Sequence, residues 1–160
     1  MPFFLIGCMG CGKSSIGRKV AEICDLSFLD LDELFELETG MGIYEIFNQK
    51  GEDFFRKTES SILHHYPFKP NMIVATGGGA PCFYNNHQFM QSVGITIYLK
   101  VSVDEIINRL QLDNKRPLLF NNKLNLKDFV VEHLSIREKE YLMSNHIIES
   151  NNISNKKSII

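Results

Sequence analysis

Near the start of the chain stands the stretch Gly7-Cys8-Met9-Gly10-Cys11-Gly12-Lys13-Ser14, which directly follows the apolar run Phe3-Phe4-Leu5-Ile6. The stretch matches the pattern G-x-x-x-x-G-K-[S/T], and it lies between a strand-like run and a helical pattern, where that pattern binds phosphate. Its glycines allow positive φ angles that turn backbone N–H groups inward, at a helix N-terminus whose dipole favours anions. We therefore predict that this loop binds ATP or GTP. A chance match is the alternative, and it leaves the flanking strand and helix patterns unexplained.

Each residue type in this loop has a distinct task in phosphate binding. Lys13 is expected to neutralise the β and γ phosphates, and the Ser14 hydroxyl is expected to hold Mg²⁺. Further nucleotide contacts are predicted for the loop residues and the first helical turn, namely Gly10, Cys11, Gly12 and Ser15.

Short apolar runs and helical patterns alternate along the rest of the chain. The runs are typical of buried parallel strands, and they occur at Phe3–Ile6, 27–31, Met72–Ala75, 95–99 and 146–148. Strands that alternate with helices predict an α/β fold in which a five-stranded parallel sheet is flanked by helices on both faces. The polar segment 111–125 interrupts the pattern and is interpreted as a mobile lid.

Length and charge restrict the class of protein. A chain of 160 residues with 44% hydrophobic residues is expected to form a single domain, residues 1–160. Its 17 basic and 19 acidic residues give a net charge of -2 without a basic stripe, so we expect no nucleic-acid partner. The first residues resemble neither a signal peptide nor a membrane span, and we expect a cytoplasmic monomer with no membrane partner.

The four cysteines, Cys8, Cys11, Cys24 and Cys82, do not have the density of a secreted disulfide framework. Cys8 and Cys11 form a C-x-x-C spacing, which leaves a redox pair as an alternative to two small residues in a phosphate loop. Zinc is disfavoured because no second closely spaced Cys or His pair accompanies them.

Two further groups of residues follow predicted strands, where open α/β sheets bind ligands. The second run ends at Asp30-Leu31-Asp32, and alternation along a strand would put both carboxylates on one side. One carboxylate could then contact a metal shell and the other an acceptor hydroxyl, whereas a helix N-cap with a first-turn acid is the structural alternative. The run Gly77-Gly78-Gly79 follows the third strand and indicates close approach of a ligand or another backbone.

In this order and spacing, the motifs resemble those of the shikimate kinase family, which has the three-layer P-loop kinase fold. The resemblance covers nearly the whole chain, and it is carried by the phosphate loop, Asp30 and Asp32, the stretch Gly51-Glu52-Asp53-Phe54-Phe55-Arg56 followed by Glu59, the three glycines, and Arg116-Pro117-Leu118-Leu119. It implies ATP-dependent phosphorylation of the 3-hydroxyl of shikimate, a step toward chorismate and the aromatic amino acids.

The resemblance also implies roles for individual residues. Asp32 would contact the ring hydroxyls of shikimate, and Asp30 would approach Mg²⁺ through water. Arg56 and Arg137 would bind the shikimate carboxylate with the backbone of Gly77, Gly78 and Gly79. Lys13 and Arg116 would stabilise the transferring phosphoryl group, and Arg109 would lie against adenine.

Three other functions remain to be weighed. Another small-molecule kinase of the same fold, for gluconate or a nucleotide, would need a different acceptor site. A GTP-driven switch would need an N-K-x-D motif, but Asn114-Lys115 is followed by Arg116-Pro117. A P-loop binding module without catalysis is disfavoured because both carboxylates and the lid arginine are present.

Overall fold

The computed structural model describes residues 1–112 and 125–150, which contain one sheet of five parallel strands flanked by helices. The strands lie in the order β2-β3-β1-β4-β5, and their bounds are β1 Phe3–Ile6, β2 Ser27–Asp30, β3 Met72–Ala75, β4 Ile95–Val101 and β5 His146–Ser150. The helices are α1 Lys13–Ile23, α2 Leu31–Thr39, α3 Ile43–His65, α4 Asn86–Val93, α5 Val103–Leu112 and α6 Leu126–Tyr141, with a short 3₁₀ helix at Ala80–Cys82. Within the described residues, no helix is both long and apolar enough to span a membrane.

The register of the central strands determines where the predicted motifs meet. Leu5 on β1 pairs with Ala75 on β3, and Ala75 also pairs with Asp30 on β2. The phosphate loop, Asp30 and the glycine run therefore begin at the same edge of the sheet. Strands β1 and β3 lie between neighbours and are buried, which explains why their sequences are continuous apolar runs.

The predicted fold class is confirmed, and most strand bounds differ from the prediction only at their carboxyl ends. β1 and β3 have the predicted bounds, whereas β4 and β5 are each two residues longer. Segment 111–125 is only partly a loop, because α5 continues through Leu112 and Asn125 caps α6 by accepting a hydrogen bond from Lys127 N at 3.1 Å. The predicted lid otherwise lies at 113–124, outside the described residues.

The position predicted for Asp32 was wrong. Strand β2 ends at Asp30, and Asp32 lies in the first turn of α2 rather than on the strand. The Asp30 carboxylate accepts a hydrogen bond from Asp32 N at 2.9 Å and so caps the helix, as in the structural alternative. Strand alternation does not apply here because the backbone has already turned into a helix at Leu31.

Helices α2 and α3 pack through a small hydrophobic cluster separate from the main core. Its buried members are Phe35, Ile46 and Phe55. The cluster lies on both sides of a break at Gly51, where φ is 80° and ψ is 171° within the otherwise helical segment α3. Since Arg56 directly follows Phe55, this cluster positions the beginning of the helix that carries a predicted substrate-binding residue.

Candidate active site

The phosphate loop has the backbone that its glycines predict. Gly7, Gly10 and Gly12 have φ angles of 149°, 75° and 96°, and α1 begins at Lys13. The Lys13 ammonium donates hydrogen bonds to Gly7 O at 2.8 Å and Cys8 O at 2.9 Å. Lys13 is therefore packed along the loop with its charge held by two loop carbonyls, and its contact with the β and γ phosphates stays a prediction.

Ser14 and Asp30 are brought together although they come from different elements. Ser14 Oγ donates a hydrogen bond to Asp30 Oδ2 at 2.5 Å, and the Asp30 residue is only 8% exposed. A hydroxyl and a carboxylate oxygen are hard donors of the kind that Mg²⁺ prefers. The two residues fit a magnesium site beside the phosphate loop, either as direct ligands or through water.

A cleft of about 340 Å³ opens at this edge of the sheet. Its lining combines the phosphate loop, the start of α2, the end of β3 and one side of α5, and the residues are Met9, Gly10, Gly12, Lys13, Ser14, Ser15, Asp32, Thr76, Gly78, Arg109 and Leu110. The cleft thus brings together most of the predicted nucleotide residues and Asp32. Arg56 and Arg137 do not line it.

Each glycine of the run 77–79 faces a different part of the site. A Cβ atom at Gly77 would lie 2.9 Å from Asp32 Oδ1 and 2.8 Å from Glu59 Oε1, and one at Gly78 would lie 3.2 Å from Met9 N in the phosphate loop. A Cβ atom at Gly79 would lie 2.5 Å from Arg56 Nη2. The close approach predicted for these glycines is therefore found toward the protein's own backbone, carboxylates and guanidinium.

Arg56 is buried, and its charge is paired. Its Nη1 donates to Glu59 Oε2 at 2.8 Å and its Nε lies 3.3 Å from Glu52 Oε1. Burial raises the pKa of the Glu59 carboxyl, while the adjacent Arg56 guanidinium opposes that shift. Within the described residues, these contacts use two of the five N–H donors of the guanidinium, so its binding of a further anion is compatible with this geometry and stays a prediction.

Arg137 lies on α6 and is half-buried. The helix is attached to the glycine run by Tyr141, whose hydroxyl donates to Gly78 O at 2.5 Å one helical turn after Arg137. Burial raises the pKa of the Cys82 thiol to about 11, and the positive charge of Arg137 is the main influence that opposes it. The positive charge of Arg137 also opposes the rise in the pKa of Glu59 that burial causes.

Arg109 lies at the rim of the phosphate loop. Its Nη1 donates to Cys11 O at 2.8 Å and its Nε to Glu105 Oε1 at 2.8 Å. This position beside the loop is compatible with contact to a nucleotide base, which stays a prediction. Arg116, predicted to reach the phosphates, lies outside the described residues.

The two loop cysteines are free and buried. Burial raises the pKa of the Cys8 thiol, with the neighbouring Lys13 charge opposing the shift. A thiol with a raised pKa is a weak nucleophile at neutral pH, so this geometry favours small loop residues over a redox pair.

Several residues of the site were given no role from the sequence. The pairing of Glu52 and Glu59 with Arg56 could have been predicted, since they stand four residues before and three residues after it on one helix face. Tyr141, which contacts Gly78, and Phe83, whose ring lies against Arg56, carried no such signal, because their partners are distant in the chain.

The sheet order, the phosphate loop and the carboxylates beside it define a P-loop kinase fold. A model of the shikimate kinase family matches residues 9–160. The chain therefore belongs to the shikimate kinase family, and the family resemblance is confirmed.

Individual relatives agree with this assignment. A shikimate kinase of Parabacteroides distasonis is 41% identical over 140 residues, covering 86% of this chain and 81% of that protein. The crystal structure of shikimate kinase from Bacteroides thetaiotaomicron superposes with a TM-score of 0.91 at 34% identity, covering 98% of this chain and 90% of that one. Shikimate kinase from Acinetobacter baumannii in complex with shikimate gives a TM-score of 0.86 at 35% identity, covering 94% and 83%.

Proposed function

We propose that the chain is an ATP-dependent shikimate kinase that transfers the γ-phosphoryl group to the 3-hydroxyl of shikimate, with residues 1–160 acting as one domain. The observation that carries the proposal is the arrangement around the glycine run. Gly78 lies against the phosphate loop, Gly77 against Asp32, and Gly79 against the buried guanidinium of Arg56. Phosphate donor, acceptor hydroxyl and acceptor carboxylate can thus be bound on neighbouring residues.

Phosphoryl transfer depends mainly on positioning and on stabilising charge. Lys13 would follow the β and γ phosphates and offset the charge that develops on the transferring group. Asp32 would orient the acceptor hydroxyl and accept its proton. Arg56 and Arg137 would hold the shikimate carboxylate, which sets the position of the reacting hydroxyl relative to the phosphate loop.

The family generally requires a divalent metal, and we propose Mg²⁺. Ser14 and Asp30 would hold it, since their oxygens already meet at 2.5 Å. Bound with ATP, Mg²⁺ would offset negative charge on the phosphate oxygens.

Replacing Asp30 by Asn is expected to raise the Mg²⁺ concentration needed for half-maximal activity by about ten-fold. Asn keeps the N-cap of α2, because its side-chain oxygen still accepts from Asp32 N, but it removes the negative charge beside Ser14. Initial rates are measured while Mg²⁺ is titrated at fixed ATP. An unchanged Mg²⁺ dependence together with a lower Tm would mean that Asp30 acts only as a cap.

Replacing Arg56 or Arg137 by Ala is expected to raise KM for shikimate about ten-fold or more in each case, from about 1.5 to 3 kcal/mol of lost charge-assisted binding. KM for ATP should stay within about three-fold, because neither residue lines the nucleotide cleft. Arg18→Ala is a suitable control, since Arg18 is an exposed arginine on α1 paired with Glu33.

Arg56→Ala also leaves Glu59 buried without its cation, so the double variant Arg56→Ala/Glu59→Gln separates binding from stability. A shikimate analogue whose carboxylate is reduced to an alcohol should bind poorly to the wild type and lose much less in either arginine variant. Normal acceptor kinetics in Arg56→Ala would contradict the proposed carboxylate site.

Acceptor identity is tested directly by ADP release from ATP and Mg²⁺ in the presence of shikimate, gluconate or a nucleoside monophosphate. Turnover with shikimate, but not with gluconate or a nucleoside monophosphate, supports the proposal. Faster turnover with gluconate or a nucleotide would contradict the proposal and indicate another small-molecule kinase of the same fold. No turnover with any acceptor would favour a binding module.

A further inference from the structure

Phe83 follows the 3₁₀ helix Ala80–Cys82 and is half-buried. Among the described residues, it belongs to neither of the two hydrophobic clusters. Its ring centroid instead lies 4.7 Å from the guanidinium carbon of Arg56. The ring therefore contacts a cation rather than either hydrophobic cluster.

The guanidinium of Arg56 is restrained in two different ways. Glu59 and Glu52 contact its nitrogen atoms at 2.8 Å and 3.3 Å, which restrains the group within its plane. The guanidinium carbon lies over the rings of Phe55 and Phe83, 4.8 Å and 4.7 Å from their centroids, so a tilt of the group would change both contacts. Glu52, Glu59 and Phe55 share a helix with Arg56, whereas Phe83 reaches it from the segment after the glycine run.

The turn that places Phe83 is strained. Tyr84 and Asn85 have successive φ angles of 50° and 57°, in the left-handed region that a tyrosine rarely adopts. The turn is held on both sides: Tyr84 Oη donates to Asp53 Oδ1 at 3.1 Å, and buried Asn86 donates to Ala80 O at 2.8 Å and accepts from Ser60 Oγ at 2.7 Å. Local strain maintained by surrounding contacts is typical of segments that position functional groups.

We propose that Phe83 is a positioning residue for acceptor recognition, whose ring sets the tilt of the Arg56 guanidinium toward the acceptor carboxylate. The inference rests on the proposed function of Arg56. Two-point binding of a carboxylate requires the guanidinium plane to match the carboxylate plane. Among the described residues, the hydrogen bonds to Glu52 and Glu59 use Nε and one of the two N–H groups of Nη1, so the other N–H of Nη1 and those of Nη2 can bind the acceptor, and the ring keeps them aimed.

Phe83→Leu retains apolar bulk and removes the aromatic ring. We expect it to raise KM for shikimate about three- to ten-fold, with kcat and KM for ATP within about two-fold. Phe83→Tyr keeps the ring and should restore KM to near the wild-type value. Phe54→Leu is the matched control, because the exposed Phe54 ring lies under Lys50 rather than Arg56, and its KM for shikimate should not change.

The double variant Phe83→Leu/Arg56→Ala shows whether Phe83 acts through Arg56. If it does, Phe83→Leu adds no further rise in KM once Arg56 is absent. An equal rise in both backgrounds would mean that the ring contacts the acceptor itself and would overturn the positioning role. If Arg56→Ala raises KM and Phe83→Leu does not, this inference fails while the proposed function stands. If Arg56→Ala has no effect, this inference and the proposed carboxylate site at Arg56 both fail, whereas ADP release with shikimate still decides the activity.

Thermal unfolding distinguishes positioning from packing. Because Phe83 lies outside both clusters, Phe83→Leu and a second variant, Phe83→Met, should keep Tm within a few degrees of the wild type. A markedly lower Tm with unchanged KM in either variant would show that the ring serves stability and would overturn the proposal.

Discussion

Replacing Lys13 by Met is expected to lower kcat by about 10²- to 10³-fold, equivalent to about 2.7 to 4 kcal/mol of lost transition-state stabilisation. The ammonium is held by Gly7 O and Cys8 O at the phosphate loop, and the residue is only 8% exposed. A preorganised cation in such a site contributes more than one in water, because little reorganisation is needed when charge develops. Met keeps a long unbranched side chain, one atom shorter than that of Lys, and removes the charge.

The fold of Lys13→Met should be retained, because strand β1 and helix α1 do not depend on the ammonium for their hydrogen bonds. Steady-state kinetics and a thermal unfolding curve check both parts of the prediction. Lys19→Met is the matched control, since Lys19 is an exposed lysine on the same helix, and its kcat should equal that of the wild type. Lys13→Met retaining more than about a tenth of wild-type activity would contradict the proposed phosphate role.

Asp32→Asn is expected to lower kcat by about 10²-fold or more, while KM for ATP stays within about three-fold. Asp32 lines the nucleotide cleft next to Gly77, where an acceptor hydroxyl could reach it, and Asn cannot accept the proton of that hydroxyl. The backbone N–H of residue 32 still donates to Asp30, so the cap of α2 is unchanged. Steady-state kinetics with both substrates varied measure the two effects.

Glu33→Gln separates chemistry from helix stability. Glu33 is the other acid in the first turn of α2, and it is exposed and paired with Arg18. Both variants lose one favourable charge at a helix N-terminus, which is worth about 0.3 to 1 kcal/mol of stability in each. Only Asp32→Asn should lose kcat. Equal losses of activity in the two variants would indicate that Asp32 has a structural role alone.

The sequence predicted the features of this protein that depend on short, continuous segments. β1 and β3 have the predicted bounds because both faces of a central strand are buried, which produces uninterrupted apolar runs. The phosphate loop was equally clear, since its glycines, Lys13 and Ser14 are consecutive residues with one backbone requirement. Asp32 was misplaced because the sequence Asp30-Leu31-Asp32 is compatible with two structures. It can continue the strand by two residues, or it can begin a helix at Leu31 that Asp30 caps, as it does here.

Only the tertiary structure decided which residues meet around the glycine run and the phosphate loop. Arg56 meets Gly79 and Phe83, Ser14 meets Asp30, and Tyr141 meets Gly78. Ser14 and Asp30 are 16 residues apart in the chain, and Tyr141 and Gly78 are 63 residues apart. Local sequence patterns record which face of a helix or strand is buried, but not what it is buried against. That choice follows from strand order and from the angles at which helices pack on the sheet, which are properties of the whole folded chain.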